Sequence, residues 1–236
     1  MPEMLKSLLT PRANYLVSRP MQTTAAPPDF DACFRENLTR LFEWRRDVRR
    51  FRVEKVPEAM IDHLLDLAQL SPSVGNSQPW RWVRVESERA REKIRFNFAH
   101  CNADALASLG DERARTYAKL KLAGLERAPV QFAVFCDAAT AQGHGLGQRT
   151  MPEMLDYSVV SAVMTFWLAA RAQGLGVGWV SILDPAKAAA DLDVPEGWRL
   201  IAYFCVGYPE EEHEDPELVR FDWQARTRLG RVVLER

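Results

Sequence analysis

Residues 166–183 read "FWLAARAQGLGVGWVSIL". An apolar helical stripe stops at Gly174, and the glycines beyond it lead into a β-branched run instead of opening a second helix. A dinucleotide fingerprint needs the opposite order, strand then glycines then helix, because the phosphate rests on the helix N-terminus. The run therefore predicts a core helix that feeds a buried strand. Upstream, Val159, Val160, Val163, Trp167 and Leu168 continue the stripe, while Ser158, Ser161 and Ala162 keep neighbouring turns small. In the strand, Val177, Trp179 and Ser181 share one face and Gly176, Gly178 and Val180 the other. Two readings of the glycine face stay open: backbone approaching a planar ligand, or the long helix seated close to the sheet. The second is the simpler.

Working outward, Phe34, Leu38, Leu41 and Phe42 recur at helical spacing. A second helix follows Pro57, with Ile61, Leu64, Leu65 and Ala68 on one face. "SPSVGNSQPW" (71–80) is loop, "WRWVRVE" a half-buried strand, and "PVQFAVFCD" a buried strand. Residues 87–125 predict two charged surface helices broken at Gly110 and Gly124. "AATAQGHGLGQRTMPE" is a long loop, "DPAKAAADL" a short helix capped by Asp184, and "WRLIAYFCVGYP" the last strand. Strands separated by helices define a layered α/β or α+β domain without internal repeats. Residues 1–30, with several Pro, Thr and Ala, predict a flexible arm ahead of a body over residues 31–236.

The chain of 236 residues is 47% hydrophobic, enough for one sizeable core. Lysine plus arginine total 31 against 32 acids, which gives no general reason to expect nucleic acid or an anionic membrane as a partner. No apolar run approaches a membrane span, and the N-terminus lacks a secretory h-region, so a cytoplasmic protein is expected. Cys33, Cys101, Cys136 and Cys205 show no CxxC spacing and read as reduced thiols. The four histidines are scattered, and no metal site is expected.

Chemistry concentrates in three places. In "EWRRDVRRF" (43–51), Arg45, Arg46 and Arg49 present forked donors suited to a phosphate, although for the run taken alone a solvated helix end with Asp47 as an ion-pair partner is the simpler reading. The 71–80 loop supplies small residues and donors able to lie against a flat polar ligand, or it is a plain connection. The third is the glycine-rich strand. Lys121 on a charged helix and Arg226 in the basic tail are further cations within reach of an anion, and "GHGLGQR" around His144 is a lid or a surface loop.

The order of "RRDVRRF", "PSVGNSQPW", "TMPEMLDYSVV" and "FWLAARAQGLGVGWVSIL" resembles the FMN-dependent nitroreductase-like superfamily, and within it the flavin destructases; the likeness covers most of the chain from Leu38 onward. The resemblance implies an α+β nitroreductase-like fold, a central mixed sheet flanked by helices, in a homodimer with flavin at the interface. It implies that reduced FMN is substrate and O2 co-substrate, with a separate flavin reductase supplying the former, in fragmentation to 5,6-dimethylbenzimidazole and erythrose 4-phosphate. Arg45, Arg46, Arg49 and Arg226 would hold the phosphate and ribityl chain. Gly178 and the loop Pro72, Ser73, Val74 and Gly75 would confine the ring, with Val48, Lys121 and Trp179 also against the flavin. Asp47 and Ser181 are the implied catalytic pair, Asp47 moving protons and Ser181 orienting the ring. The helices between Glu88 and Gly124 would form a lid. Ordinary nitroreductases resemble the pattern with serine in place of Asp47, and a carboxylate there is costly beside an electron-rich, phosphorylated ligand. The alternatives are an NAD(P)H-dependent FMN nitroreductase or quinone reductase that returns its flavin intact, and a flavin-binding protein without turnover.

Overall fold

The computed structural model describes residues 26–110, 113–114, 116, 123–227 and 232–236. Two units divide the chain, residues 1–37 and 38–236. In the first, the Asp31 carboxylate accepts from the Phe34 N–H (2.7 Å) and caps the start of α1 (Ala32–Trp44).

In the second unit, β1 (Trp80–Arg84), β2 (Val130–Asp137), β3 (Gly176–Val180) and β4 (Trp198–Gly207) form a sheet in the order β1-β2-β4-β3. Every neighbouring pair is antiparallel, which corrects the mixed sheet expected from sequence. The reason lies in the connection. Helix α5 (Met154–Ala172) carries the chain from β2 to β3, which point the same way, but β4 inserts between them. Parallel contact survives as one bridge, Asp47 with Val177, on the outer edge of β3.

Both faces of the sheet are covered, which explains why β2 is buried along nearly its whole length instead of alternating. Val130, Phe132, Val134 and Cys136 face α2 (Glu58–Ala68) and α5, where Phe166 stacks on Phe204 with ring centroids 6.0 Å apart. Ala133, Phe135, Tyr203 and Cys205 face α3 (Glu88–Ala107) and α6 (Pro185–Asp191). Asn97 on α3 ties that layer together: its amide donates to the Asp184 carbonyl (3.0 Å) and accepts from the Asp184 N–H (2.9 Å). Asp184 caps α6 through the Lys187 N–H (2.9 Å), as the sequence predicts. One-turn helices α4 (Gly124–Arg127) and α7 (Glu217–Arg220) complete the fold. The second surface helix expected before Gly124, with Lys121, falls largely outside the described residues. Among the described residues no helix is long and apolar enough to cross a membrane, no cluster of metal-ligating side chains occurs, and the four cysteines are free.

Candidate functional site

The arginine-rich segment is extended backbone laid on the sheet. Val48 N–H donates to the Val177 carbonyl (3.0 Å), so residues 47–48 add a short rung to β3. Three residues on, Phe51 is fully buried against Gly124, Cys205 and Gly207, and Arg50 to Arg52 pair with Tyr208 to Glu210 beyond the end of β4. A rung on one side and a buried ring on the other pin the charged residues between them.

Gly176 and Gly178 exist for this crossing. A Cβ on Gly176 would meet the Val48 side chain at 2.7 Å, and one on Gly178 would meet the Val48 carbonyl oxygen at 2.2 Å. Both earlier readings of the glycine face are thereby corrected. The face is filled by the chain's own residues 48 and 51, while α5 packs on the opposite face through Val177 and Trp179.

The segment turns Arg45, Arg46, Asp47 and Arg49 into a cavity of about 300 Å³ whose other walls are Trp167, Pro216, Glu217, Leu218 and Arg226. Arg45 lies over the Trp167 ring, 5.0 Å from its centroid, and the Trp167 indole N–H donates to the Arg46 carbonyl (3.2 Å). Arg46 is anchored by main-chain oxygens, including that of Glu214 (2.5 Å). Burial and the neighbouring Arg226 and Arg45 push its pKa down, the signature of cations gathered without sufficient counter-charge. Among the described residues neither Arg45 nor Arg226 has a carboxylate partner within ion-pair distance. An anion in this cavity would relieve that repulsion.

Asp47 is one of two carboxylates, with Glu217, that line the cationic pocket. Its Oδ1 accepts from the Trp179 N–H (2.8 Å), taking a strand-edge donor that a longer ladder would have used, and its Oδ2 lies 3.6 Å from Arg49 Nε. The side chain is 36% exposed in the single chain, yet surrounding protein raises its pKa above the usual carboxylate value. Loss of solvation is the largest cause and Glu217 adds to it, against the opposing pull of the Trp179 N–H and Arg49.

The remaining candidates lie elsewhere. Ser181 follows β3 and is exposed, with no hydrogen-bond partner among the described residues. Pro72 to Gly75 lie against the other end of α5. The Val74 N–H donates to Ser158 Oγ (3.0 Å) and Ser71 Oγ to Thr165 Oγ1 (2.7 Å). Ser158 and Trp167 are about 14 Å apart along the helix at ~1.5 Å per residue and, at ~3.6 residues per turn, point to opposite sides of it, so the loop and the arginine cavity lie on different faces of α5. Gly75, at φ +57°, abuts Gly143, and the Gln142 amide donates to the Asn76 carbonyl (2.8 Å). The "GHGLG" loop is therefore docked on the 71–80 loop. Sequence reasoning missed Glu217, Leu218 and Trp167 as cavity walls. The acidic run "EEEHEDPE" (210–217), complementary to "RRDVRR", was the available signal for the first.

The chain belongs to the nitroreductase family, whose model matches residues 42–208. Comparison with curated proteins groups it with the 5,6-dimethylbenzimidazole synthases of that family. The protein of that name from Rhodospirillum rubrum is 58% identical over 199 residues, covering 84% of this chain and 94% of the relative. The one from Rhodobacter capsulatus is 44% identical over 196 residues, covering 83% and 95%. Among solved structures, oxidized iodotyrosine deiodinase bound to FMN and 3-iodo-L-tyrosine superposes with a TM-score of 0.65 at 25% identity, covering 84% of this chain and 97% of that one.

Proposed function

We propose that this enzyme binds reduced FMN as a substrate and, with O2, fragments it to 5,6-dimethylbenzimidazole and erythrose 4-phosphate, the pyrimidine part of the ring leaving as a third fragment. The observation that carries the reading is Asp47: a carboxylate held in a cavity of arginines, with its pKa raised by burial. A group that only bound a phosphorylated cofactor would gain nothing from a negative charge there, whereas one that takes up and releases protons needs a pKa moved toward neutrality. The names of the relatives support the same product.

The residues present fit FMN. Arg45, Arg46 and Arg226, lacking enough counter-charge of their own, would hold the phosphate, with Arg49 and Val48 beside the ribityl chain. The reduced flavin supplies the electrons that O2 accepts. Asp47 moves protons at the ribityl or ring nitrogen positions, and the free hydroxyl of Ser181 hydrogen-bonds the ring. The Pro72 to Gly75 loop and Trp179 confine it. Gly178 serves by letting the Asp47 segment approach β3. A separate flavin reductase supplies the reduced FMN.

The site is completed in a homodimer. Tyr157, Val160, Met164 and Leu168 form a seam of one helical face on α5 that the single chain leaves half-buried or exposed. Leu38, Phe42 and Trp44 on α1 are exposed large apolar side chains as well. A monomer in sedimentation at micromolar concentration would overturn this part of the reading.

The decisive test supplies free reduced FMN and oxygen, then follows the flavin chromophore and the products. Loss of the chromophore with dimethylbenzimidazole formed is the expected result. Quantitative return of oxidised FMN would refute the reading, and steady NAD(P)H consumption with a nitroaromatic would replace it with a reductase. Asp47→Ser is expected to bind FMN and make no product.

A further inference from the structure

Glu217 is the feature of the cavity that neither the arginine motif nor phosphate binding explains. It opens α7, its side chain is 7% exposed, and it lies among cations in a cavity suited to an anion. Burying a carboxylate there costs solvation and opposes any phosphate. What it touches is specific. Its Oε1 accepts from Arg50 (3.2 Å), which Glu211 also holds (3.0 Å to Nε), and its Oε2 lies 3.5 Å from Arg49 Nε. Arg49 Nε sits between two carboxylates, 3.5 Å from Glu217 and 3.6 Å from Asp47, and this buried nitrogen hydrogen-bonds to neither.

We propose that Glu217 is a positioning residue for Asp47: anchored through Arg50, it shares the Arg49 guanidinium and so prevents Arg49 from closing onto the Asp47 carboxylate as a full ion pair. Were Glu217 absent, the nearest charge to Asp47 would be an undivided cation, and the carboxylate would be locked in its ionised form. With Glu217 in place, Asp47 keeps one firm hydrogen bond, from Trp179, and stays free to exchange a proton. The groups facing Asp47 are Arg49 on its own segment, the Trp179 N–H on β3, the buried Cys205 thiol on β4, Glu217 on α7, and the cavity cations Arg45, Arg46 and Arg226. Of these, Glu217 opposes ionisation of Asp47 by its charge and also contacts Arg49, whereas the Cys205 thiol, its own pKa pushed up by burial and by Asp47, stays neutral. The inference rests on the proposed proton-transfer role of Asp47, but its first test does not depend on turnover.

That test is the carboxyl 13C titration of Asp47 in the full-length protein, with the resonance assigned by its loss in Asp47→Asn. In Glu217→Gln the midpoint is expected to move to lower pH than in wild type. In Glu217→Asp, which keeps the charge, the midpoint should stay closer to the wild-type value. An unmoved midpoint in the glutamine variant, or equal displacement in both variants, would overturn the proposal. A second readout separates positioning from scaffolding. Removing an anion from the cavity should leave affinity for reduced FMN unchanged or tighter, while product formation at neutral pH falls on the order of tenfold or more. Parallel loss of binding and turnover, with rescue by neither variant, would make Glu217 a structural residue only. If the wild-type protein makes no dimethylbenzimidazole, the proposed function falls, and the titration still decides the role of Glu217.

Discussion

Replacing Gly178 by alanine tests whether residues 47–51 are pinned on β3 as described. The added Cβ would lie 2.2 Å from the Val48 carbonyl oxygen, where ordinary contact begins at 3.4 Å, and the obstacle is backbone that cannot rotate aside. Retreat is blocked downstream, because Phe51 is fully buried and bridged to Pro209. The strain therefore falls on the rung itself: the bond from Val48 N–H to the Val177 carbonyl, about 0.5–1.5 kcal/mol, and the charge-assisted bond from the Trp179 N–H to Asp47, about 1.5–3 kcal/mol. Losing most of both destabilises the fold by about 2–4 kcal/mol, comparable with overpacking a core. For a chain of this size that lowers Tm by roughly 5–15 °C. Scanning calorimetry reads it directly. Gly110→Ala, where an added Cβ meets nothing within 4 Å, is the control and should stay within about 0.5 kcal/mol of wild type. If Gly178→Ala melts with the control and still makes product, the segment does not press on β3, and the account of how Asp47 is placed is wrong.

Asp47→Asn should alter the pH dependence of stability in a definite sense. Because the folded pKa of Asp47 is raised, the folded state holds more protons than the unfolded state between the two pKa values, and wild-type stability falls as pH rises through that window. The asparagine variant lacks this penalty, so its melting temperature relative to wild type should be most favourable above the folded pKa and should lose that advantage as pH drops below the unfolded value. A difference that does not vary with pH would contradict the raised pKa. Arg45→Ala should weaken binding of reduced FMN on the order of ten- to hundredfold, from the loss of a charged hydrogen bond to phosphate. Reduced riboflavin, which has no phosphate, should lose far less, and titration by fluorescence or calorimetry compares the two. Equal losses would remove Arg45 from the phosphate cradle.

Much of the fold is legible in the chain because helices and strands are written in local periodicity. The stripe ending at Gly174, the buried run before Asp137 and the Asp184-Pro185 start of α6 all stand where their spacing puts them. The direction of the sheet pairings was not legible. It depends on β4 entering between β2 and β3, which contacts between segments remote in sequence decide.

Motif order alone brings out an arginine cluster with one aspartate in it, and only its resemblance to a known family makes of them an expected anion site and proton carrier. Tertiary structure alone decided what surrounds them. Gly178 makes room for the Val48 carbonyl, Trp167 becomes a platform under Arg45, and Glu217 arrives from far along the chain to divide Arg49 with Asp47. Each is a contact between segments remote in sequence, at distances of a few ångströms where a charge's effect on its neighbour is decided. Local spacing carries no information at that range, because the approach of two segments is set by the layers they pack on.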